Sequence, residues 1–375
     1  MKIMHLGDLH IGKTVCGYSM LEDQKYILDQ ITDIALEHGV TAVLIAGDVY
    51  DRSVPPVEGT ALFEDLLIRL SDMGINTLII SGNHDSAQRL SFGSTLMKSN
   101  GVFIAKIYSG TVEKVTLSDE YGEIDFYLLP FIYPAIVREY FPDTEIKTYN
   151  DAVNAVISSI GIDSSRRNVI LSHQFITGAQ VSDSEQISVG GIDEINAEIY
   201  APFDYAALGH IHRPQKMREH IRYSGSPLKY SLSEAKYEKS VPIVTLGAKG
   251  DVHTECIPLR PLRDVKEIKG TYEELMSPDF YNSIKTDDYI FACLTDDIPV
   301  PDAAAKLRSV YPYIMGISYD NITTEHIAEV ELKSAARLET DPLTLMNDFY
   351  VSVMSKEMSE SQQKLILSLT EEIWR

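Results

Sequence analysis

The chain has 375 residues, 44% apolar and 23% charged, enough for two or three globular domains and free of low-complexity or fibrous character. No apolar run nears the ~20 residues of a membrane span, Met1-Lys2-Ile3 runs straight into a strand, and Cys16, Cys256 and Cys293 have no paired spacing, so neither a membrane span, a secretory signal nor a disulfide framework is expected. A cytoplasmic compartment is expected, and the net charge of −22 sits against the basic surface that phosphate binding favours.

The first strand, Lys2 to Leu6, ends in Gly7-Asp8-Leu9-His10. Met20 to His38 then carries Leu21, Ile27, Ile31, Ile34 and Ala35 at helical spacing. The run Val43-Leu44-Ile45 is short and unbroken, as expected of a strand buried on both faces, and it ends in Gly47-Asp48-Val49-Tyr50-Asp51-Arg52. A second helix from about Val57 to Met73 is closed by Gly74, and a third strand, Thr77 to Ile80, ends in Gly82-Asn83-His84-Asp85. This βαβαβ order predicts a parallel sheet. Ligands of such sheets bind at the carboxyl ends of the strands. Asp8, His10, Asp48, Asn83 and His84 all fall at that edge.

From Val102 the pattern changes to strands: Val102 to Ala105, Val112 to Leu117, Ile124 to Leu129, Val169 to Leu171, Tyr205 to Leu208, Ile221 to Ser224, Val241 to Leu246 and His253 to Ile257. A helix around Ala152 to Ile160 interrupts them. Two packed sheets with helices outside accommodate this number of strands. Two of the runs end in histidine, at His173 and at Gly209-His210-Ile211-His212. Beyond Pro258-Leu259-Arg260-Pro261 a β-α-β-α-β module of about 70 residues is expected, and from Asp341 two amphipathic helices. Ser359 is placed to cap the second of these, with Gln362 in the capping-box position. Such helices either fold back on their own domain or present an apolar face to a partner. The stretch from His210 to Lys239 is rich in cations, which reads equally as a solvated face or as a track for phosphates. Arg52 is equally open, as a phosphate contact or an ion pair.

Asp, His and Asn without cysteine suit Mn²⁺, Fe²⁺, Zn²⁺ or Mg²⁺. The number of candidates exceeds what one ion with open positions needs, so a pair of ions about 3.5–4 Å apart is expected, able to activate solvent and to offset charge on a phosphoryl group. His84, beside Asn83, is the natural acid for the leaving alkoxide, and Asp51 is positioned to hold its ring. The chemistry is phosphoester hydrolysis. His5, His38, His220, His253 and His326 lack motif context and read as packing or surface residues.

The five motifs, in this order and after strands, resemble those of the calcineurin-like metallophosphoesterase superfamily. The runs Asp48 to Pro56 and Tyr223 to Tyr230, and Pro258-Leu259-Arg260 leading to Gly270-Thr271-Tyr272, are similar to the Mre11/SbcD nuclease family over about residues 1 to 335. The resemblance implies an α/β fold: a four-layer αββα sandwich over 1–260, a small α/β capping, DNA-recognition domain over 261–335, and a helical segment over 336–375 that docks on the coiled coil of an SbcC/Rad50-type ATPase. It implies that Asp8, His10 and His212 bind one metal and Asn83, His173 and His210 the other, with Asp48 bridging and Mn²⁺ as the ion. It also implies a homodimer, 3′-to-5′ exonuclease action on duplex ends, and endonuclease action on single strands and hairpins, in DNA repair, recombination and replication. The motifs alone leave open a phosphoesterase of small esters or cyclic nucleotides, and a catalytically silent scaffold is a more distant alternative.

Overall fold

The computed structural model describes residues 1–185 and 194–320, together with Ser359 and Gln362. Two six-stranded sheets dominate it. The first contains β1 (Lys2–Leu6), β2 (Ala42–Ala46), β3 (Asn76–Ile80) and β4 (Val102–Ile104), all parallel. The second contains β5 (Glu113–Asp119), β6 (Gly122–Leu129), β7 (Arg167–His173), β8 (Tyr205–Gly209), β9 (Gln215–Arg218) and β10 (Ile221–Tyr223). Strands β11 (Ser240–Leu246) and β12 (Val252–Pro258) return to the first sheet as an antiparallel edge, giving the order β12-β11-β1-β2-β3-β4. The second sheet runs β9-β10-β8-β7-β6-β5, with β6, β7, β8 and β10 parallel.

The pleat explains why unbroken apolar runs are needed here. Successive side chains point to opposite faces, and in both sheets both faces are covered. Ile3, Ala42, Leu44, Leu78 and Ile80 meet Phe126, Leu128, Val169, Leu171 and Ala207 in the core between the sheets. Their neighbours Met4, Val43, Ile45 and Ile79 face outward onto α1 (Leu21–Glu37) and α2 (Val57–Asp72), packing with Ile27, Ile31, Leu66 and Leu70. On the far side Tyr127, Leu129, Ile170 and Leu208 pack against α3 (Tyr149–Ser159) through Val153 and Val156. The layers are thus αββα, as expected. Helix α3 begins three residues before the expected Ala152. Thr148 accepts from the Asp151 N–H at 3.1 Å, and the Asp151 carboxylate accepts the Thr148 N–H at 2.9 Å, which anchors the earlier start.

A three-stranded sheet follows in the order β13-β14-β15, from β13 (Val265–Gly270), β14 (Tyr289–Leu294) and β15 (Ile314–Tyr319). Val265, Tyr289 and Met315 share the apolar cluster of Ile27 and Ile31. Arg263 and the Tyr289 hydroxyl both reach the buried Asp23 carboxylate of α1 at 2.8 Å. Among the described residues, 269–272, 293–301 and 318–320 group in a second unit. In the tail, Gln362 Oε1 accepts from the Ser359 N–H at 2.9 Å and from its hydroxyl at 2.8 Å, the expected capping-box contact from the glutamine side. The rest of the two expected tail helices lies outside the described residues, as does His326.

Candidate metal centre

Parallel pairing sets Leu6 beside Ile45 and Ala46 beside Ile80, so β1, β2 and β3 end side by side. In the second sheet Gly209 pairs with His173, so β7 and β8 also end together. The two edges meet. A Cβ on Gly209 would strike the Ala46 carbonyl, and one on Gly47 (φ +90°) would strike the His173 ring, so neither position admits a side chain. After the strands the backbone is bent hard. Asp8, His10, Asp48 and His210 have φ of 53°, 46°, 50° and 99°, a region that non-glycine residues avoid. That strain is held by cross-loop hydrogen bonds, from Asp8 N–H to Gly47 O at 3.1 Å and from His10 N–H to Asp48 O at 2.9 Å.

The bend turns seven side chains onto one spot. His10 and His212 face each other Nε2 to Nε2 at 3.0 Å, and Asp8, His10 and His212 offer ligand atoms within 4.8 Å of one another. Asn83 Oδ1 lies 3.0 Å from both His173 Nε2 and His210 Nδ1. Asp48 Oδ2 stands between the two groups, 3.6 Å from His10 Nε2 and 3.4 Å from His173 Nε2. The donor set fits cations. Asp8 Oδ2 is fully buried with no hydrogen-bond partner among the described residues, and the imidazole nitrogens face oxygens and each other.

Neighbouring groups fix each imidazole. His173 Nδ1 donates to the Ala46 carbonyl at 2.8 Å, which leaves Nε2, facing Asn83 and Asp48, as the nitrogen that would give up its proton to a metal. His212 Nδ1 donates to Ser184 Oγ at 2.6 Å, and that hydroxyl donates to Glu234 Oε1 at 2.6 Å. Glu234 is completely buried and is neutralised by the buried Lys239, whose Nζ also donates to the His212 carbonyl at 2.7 Å. Glu185 accepts the His212 N–H at 2.7 Å. The Asp85 carboxylate accepts the N–H groups of Val49, Tyr50 and Gly82 at 2.9–3.1 Å, tying the Asp48 loop to the Asn83 loop. Sequence reading assigned no role to Asp85, Ser184, Glu185, Glu234 or Lys239. The one signal for the last two was an acid and a lysine five apart in a stretch read only for its surplus of cations.

His84 lies at the rim, its side chain 15% exposed and its Nε2 4.0 Å from Asp48 Oδ2, with its N–H donating to Asp48 Oδ1 at 2.9 Å. Asp51 holds this ring through its main-chain oxygen, 3.1 Å from His84 Nδ1. The expectation that its carboxylate does so needs correction. That carboxylate accepts from Lys13 Nζ at 2.6 Å and lies 3.5 Å from His10 Nδ1, drawn inward by the nearer cation. Arg52 Nε is 3.8 Å from Asp51 Oδ2 on an exposed side chain. The 213–239 stretch is largely paired: Arg213 covers the Tyr237 ring at 4.3 Å, Lys216 bonds Glu219, Arg218 bonds Glu198, and Lys229 bonds Asp264. His5 is a core residue, with Nδ1 3.0 Å from the Tyr205 hydroxyl.

The electrostatics show what the cluster lacks. Burial pushes the Asp8 carboxyl up to about 8 and depresses His10 to about 4 and His210 to about 3. Burial also opposes charge on Asp48 and His173, but their mutual attraction prevails. It holds Asp48 well below the usual carboxylate range and lifts His173 to about 9.

Residues 1–214 match the calcineurin-like phosphoesterase family, and 259–353 match the type 5 capsule protein repressor C-terminal domain. The SbcD subunit of the SbcCD nuclease from Staphylococcus epidermidis is 32% identical over 377 residues, covering 98% of each chain. This chain belongs to the SbcD nuclease family. Like that family it is a metal-dependent phosphodiester hydrolase, built on a calcineurin-like domain. Two solved structures are loosely similar: a Thermus thermophilus protein (13% identity, 68% of this chain and 98% of that one, TM-score 0.39) and a Danio rerio dimetal phosphatase (10%, 69% and 99%, 0.38). Among the described residues, no helix of this SbcD-family chain is long and apolar enough to cross a membrane.

Proposed function

We propose that this SbcD-family chain is the nuclease subunit of a cytoplasmic SbcCD-type complex acting in DNA repair, recombination and replication. It cuts DNA phosphodiesters as a 3′-to-5′ exonuclease on duplex ends and as an endonuclease on single strands and hairpins. Two divalent ions, Mn²⁺ by preference, are held by Asp8, His10 and His212 and by Asn83, His173 and His210, with Asp48 shared. When bound, such ions activate solvent near neutral pH and offset charge on phosphoryl oxygens. The observation that carries this reading is the buried, unpartnered Asp8 Oδ2 inside two groups of nitrogen and oxygen ligands that share Asp48.

The chain's own residues supply the rest. His84 protonates the leaving oxygen from the open rim, and the Asp51 carbonyl orients its Nδ1 so that Nε2 faces the substrate. Ser184, Glu234 and Lys239 hold the His212 tautomer, and Asp85 fixes the spacing between Asp48 and Asn83.

We place the nuclease domain at 1–260, the capping domain at 261–335 and the partner-docking segment at 336–375; the family match that begins at residue 259 supports the first boundary. A homodimer is supported by exposed apolar side chains on and beside α2, with Val57 81%, Phe92 84% and Leu96 81% accessible. Cleavage of an end-labelled DNA hairpin with Mn²⁺, Mg²⁺ or chelator, each with and without the SbcC-type ATPase, tests the activity. Metal-dependent cutting extended by partner and ATP is expected. Turnover of a small phosphodiester with no DNA cut under any condition would overturn it. Truncation after Leu338 should abolish co-purification with the ATPase and spare single-strand cutting.

A further inference from the structure

A cavity of about 290 Å³ opens beside Asn83, so one of the groups that contacts His173 and His210 is also part of its wall. The opposite wall is aromatic. Phe131 is pinned by its N–H to Ser81 O at 2.9 Å, and its ring lies nearly parallel to His210 (24°) at 6.3 Å. Tyr133 meets Phe131 edge to face at 4.9 Å and remains 50% exposed. Tyr108 is also in the wall and is 5% exposed. None of these residues has a role in the hydrolysis derived above.

We propose that this cavity is a nucleobase subsite, which takes the base of the nucleotide whose phosphate lies at the metal centre. The inference rests on the nuclease reading and deepens it. Three features select the occupant. The cavity adjoins the phosphate site at Asn83, which belongs to both. Its volume is at the lower end of the ~300–1,000 Å³ usual for small-molecule pockets, so it takes one ring system and not a stacked pair. An aromatic stretch of wall beside polar lining groups, Ser86 and Gln88 among them, matches a base, which has a π face and a polar edge. Tyr133 supplies the stacking surface and the polar lining groups meet the edge. A base seated there has left its duplex stack, so the subsite favours single strands and frayed ends over intact duplex.

The test compares binding of 2′-deoxyadenosine 5′-monophosphate and 2-deoxyribose 5-phosphate to the Mn²⁺-loaded full chain by calorimetry. The base should tighten binding roughly 5- to 150-fold, the stacking worth of one base. Tyr133→Ala should collapse that ratio towards one and Tyr133→Phe should retain it. Equal affinity of the parent protein for the two ligands, or an unchanged ratio in Tyr133→Ala, overturns the subsite. A parent that cuts DNA but binds the two ligands alike overturns the subsite and leaves the nuclease reading intact. A parent that cuts no DNA, but whose base-dependent affinity is lost in Tyr133→Ala, does the reverse.

Discussion

Lys239→Met is the most informative single change, because it isolates a charge that the fold keeps wholly out of water. Lys239 is 4% exposed and Glu234 is fully buried, with 2.5 Å between Nζ and Oε2. Removing the ammonium leaves the carboxylate with neutral donors only, the Ser184 and Ser231 hydroxyls and the Tyr230 N–H. It also removes a donor from the His212 carbonyl and from Ser226 Oγ. Breaking one partner of a buried pair costs about 3–5 kcal/mol. At roughly 2 °C per kcal/mol for a domain of this size this lowers Tm by about 6–10 °C. Glu234→Gln alone leaves the opposite charge uncompensated and should cost a similar amount. The double variant removes both charges, so the two losses should overlap by at least ~2 kcal/mol. Urea denaturation in chelator, which removes stabilisation by bound metal, measures all four proteins of the cycle. A loss under ~1 kcal/mol in Lys239→Met, or a double variant whose loss equals the sum of the singles, would refute the buried-pair argument.

Three further outcomes are expected. His84→Ala should lower kcat on single-stranded DNA by roughly 10²- to 10⁴-fold while two Mn²⁺ ions still bind by calorimetry; a fall in metal stoichiometry would make His84 a ligand instead of an acid. The metal-free protein should be most stable near pH 6.5. Below that, the depressed His10 and His210 must take up protons in the unfolded state first, so stability rises with pH from about 4 to 6.5. Asp8, raised to about 8, opposes that rise from about pH 4; above 6.5 it and His173, raised to about 9, hold fewer protons when unfolded, so stability falls towards pH 9, by on the order of 5 kcal/mol. Saturating Mn²⁺ should abolish the alkaline fall, and urea midpoints across pH report both limbs. Finally, Phe92→Asp with Leu96→Asp should convert a dimer to a monomer in light scattering, with unchanged circular dichroism.

Much of this was readable from sequence because the fold repeats one local rule. An apolar run covered on both faces, then glycine, then a polar ligand, marks the ends of β1, β2 and β8, and the order of those runs carries the sheet topology. Asp48 and His210 could therefore be nominated before any contact was known. Asp51 shows where the rule stops. Its position predicts proximity to His84, but whether carbonyl or carboxylate makes the contact depends on Lys13, brought in by tertiary packing. Glu234 and Lys239 show the same limit. A lysine in a cation-rich stretch reads as surface, and only the return of the chain behind His212 buries it. The start of α3 could have been placed correctly from Thr148 and Asp151, whose capping spacing is local.

The fate of the cations bears directly on how a chain of net charge −22 engages DNA. Between Arg213 and Lys239, Lys216, Arg218, Lys229 and Lys239 are bound to carboxylates of this same chain, and Arg213 covers a tyrosine ring. Lys13, beside the site, is bound to Asp51. Affinity should then come from bound metal and base stacking, with few phosphates neutralised by side chains. For single strands, each phosphate neutralised contributes about −0.7 to the slope of log K against log salt. Two or three contacts give a slope between about −1 and −2. Fluorescence anisotropy of a labelled oligonucleotide, titrated in Mn²⁺ from 50 to 300 mM salt (about a sixfold range, chosen to resolve such a slope), measures it on the chain without its partner. A slope steeper than about −4 would mean that the internal pairs open to track phosphates, and that the 213–239 stretch is a binding surface after all.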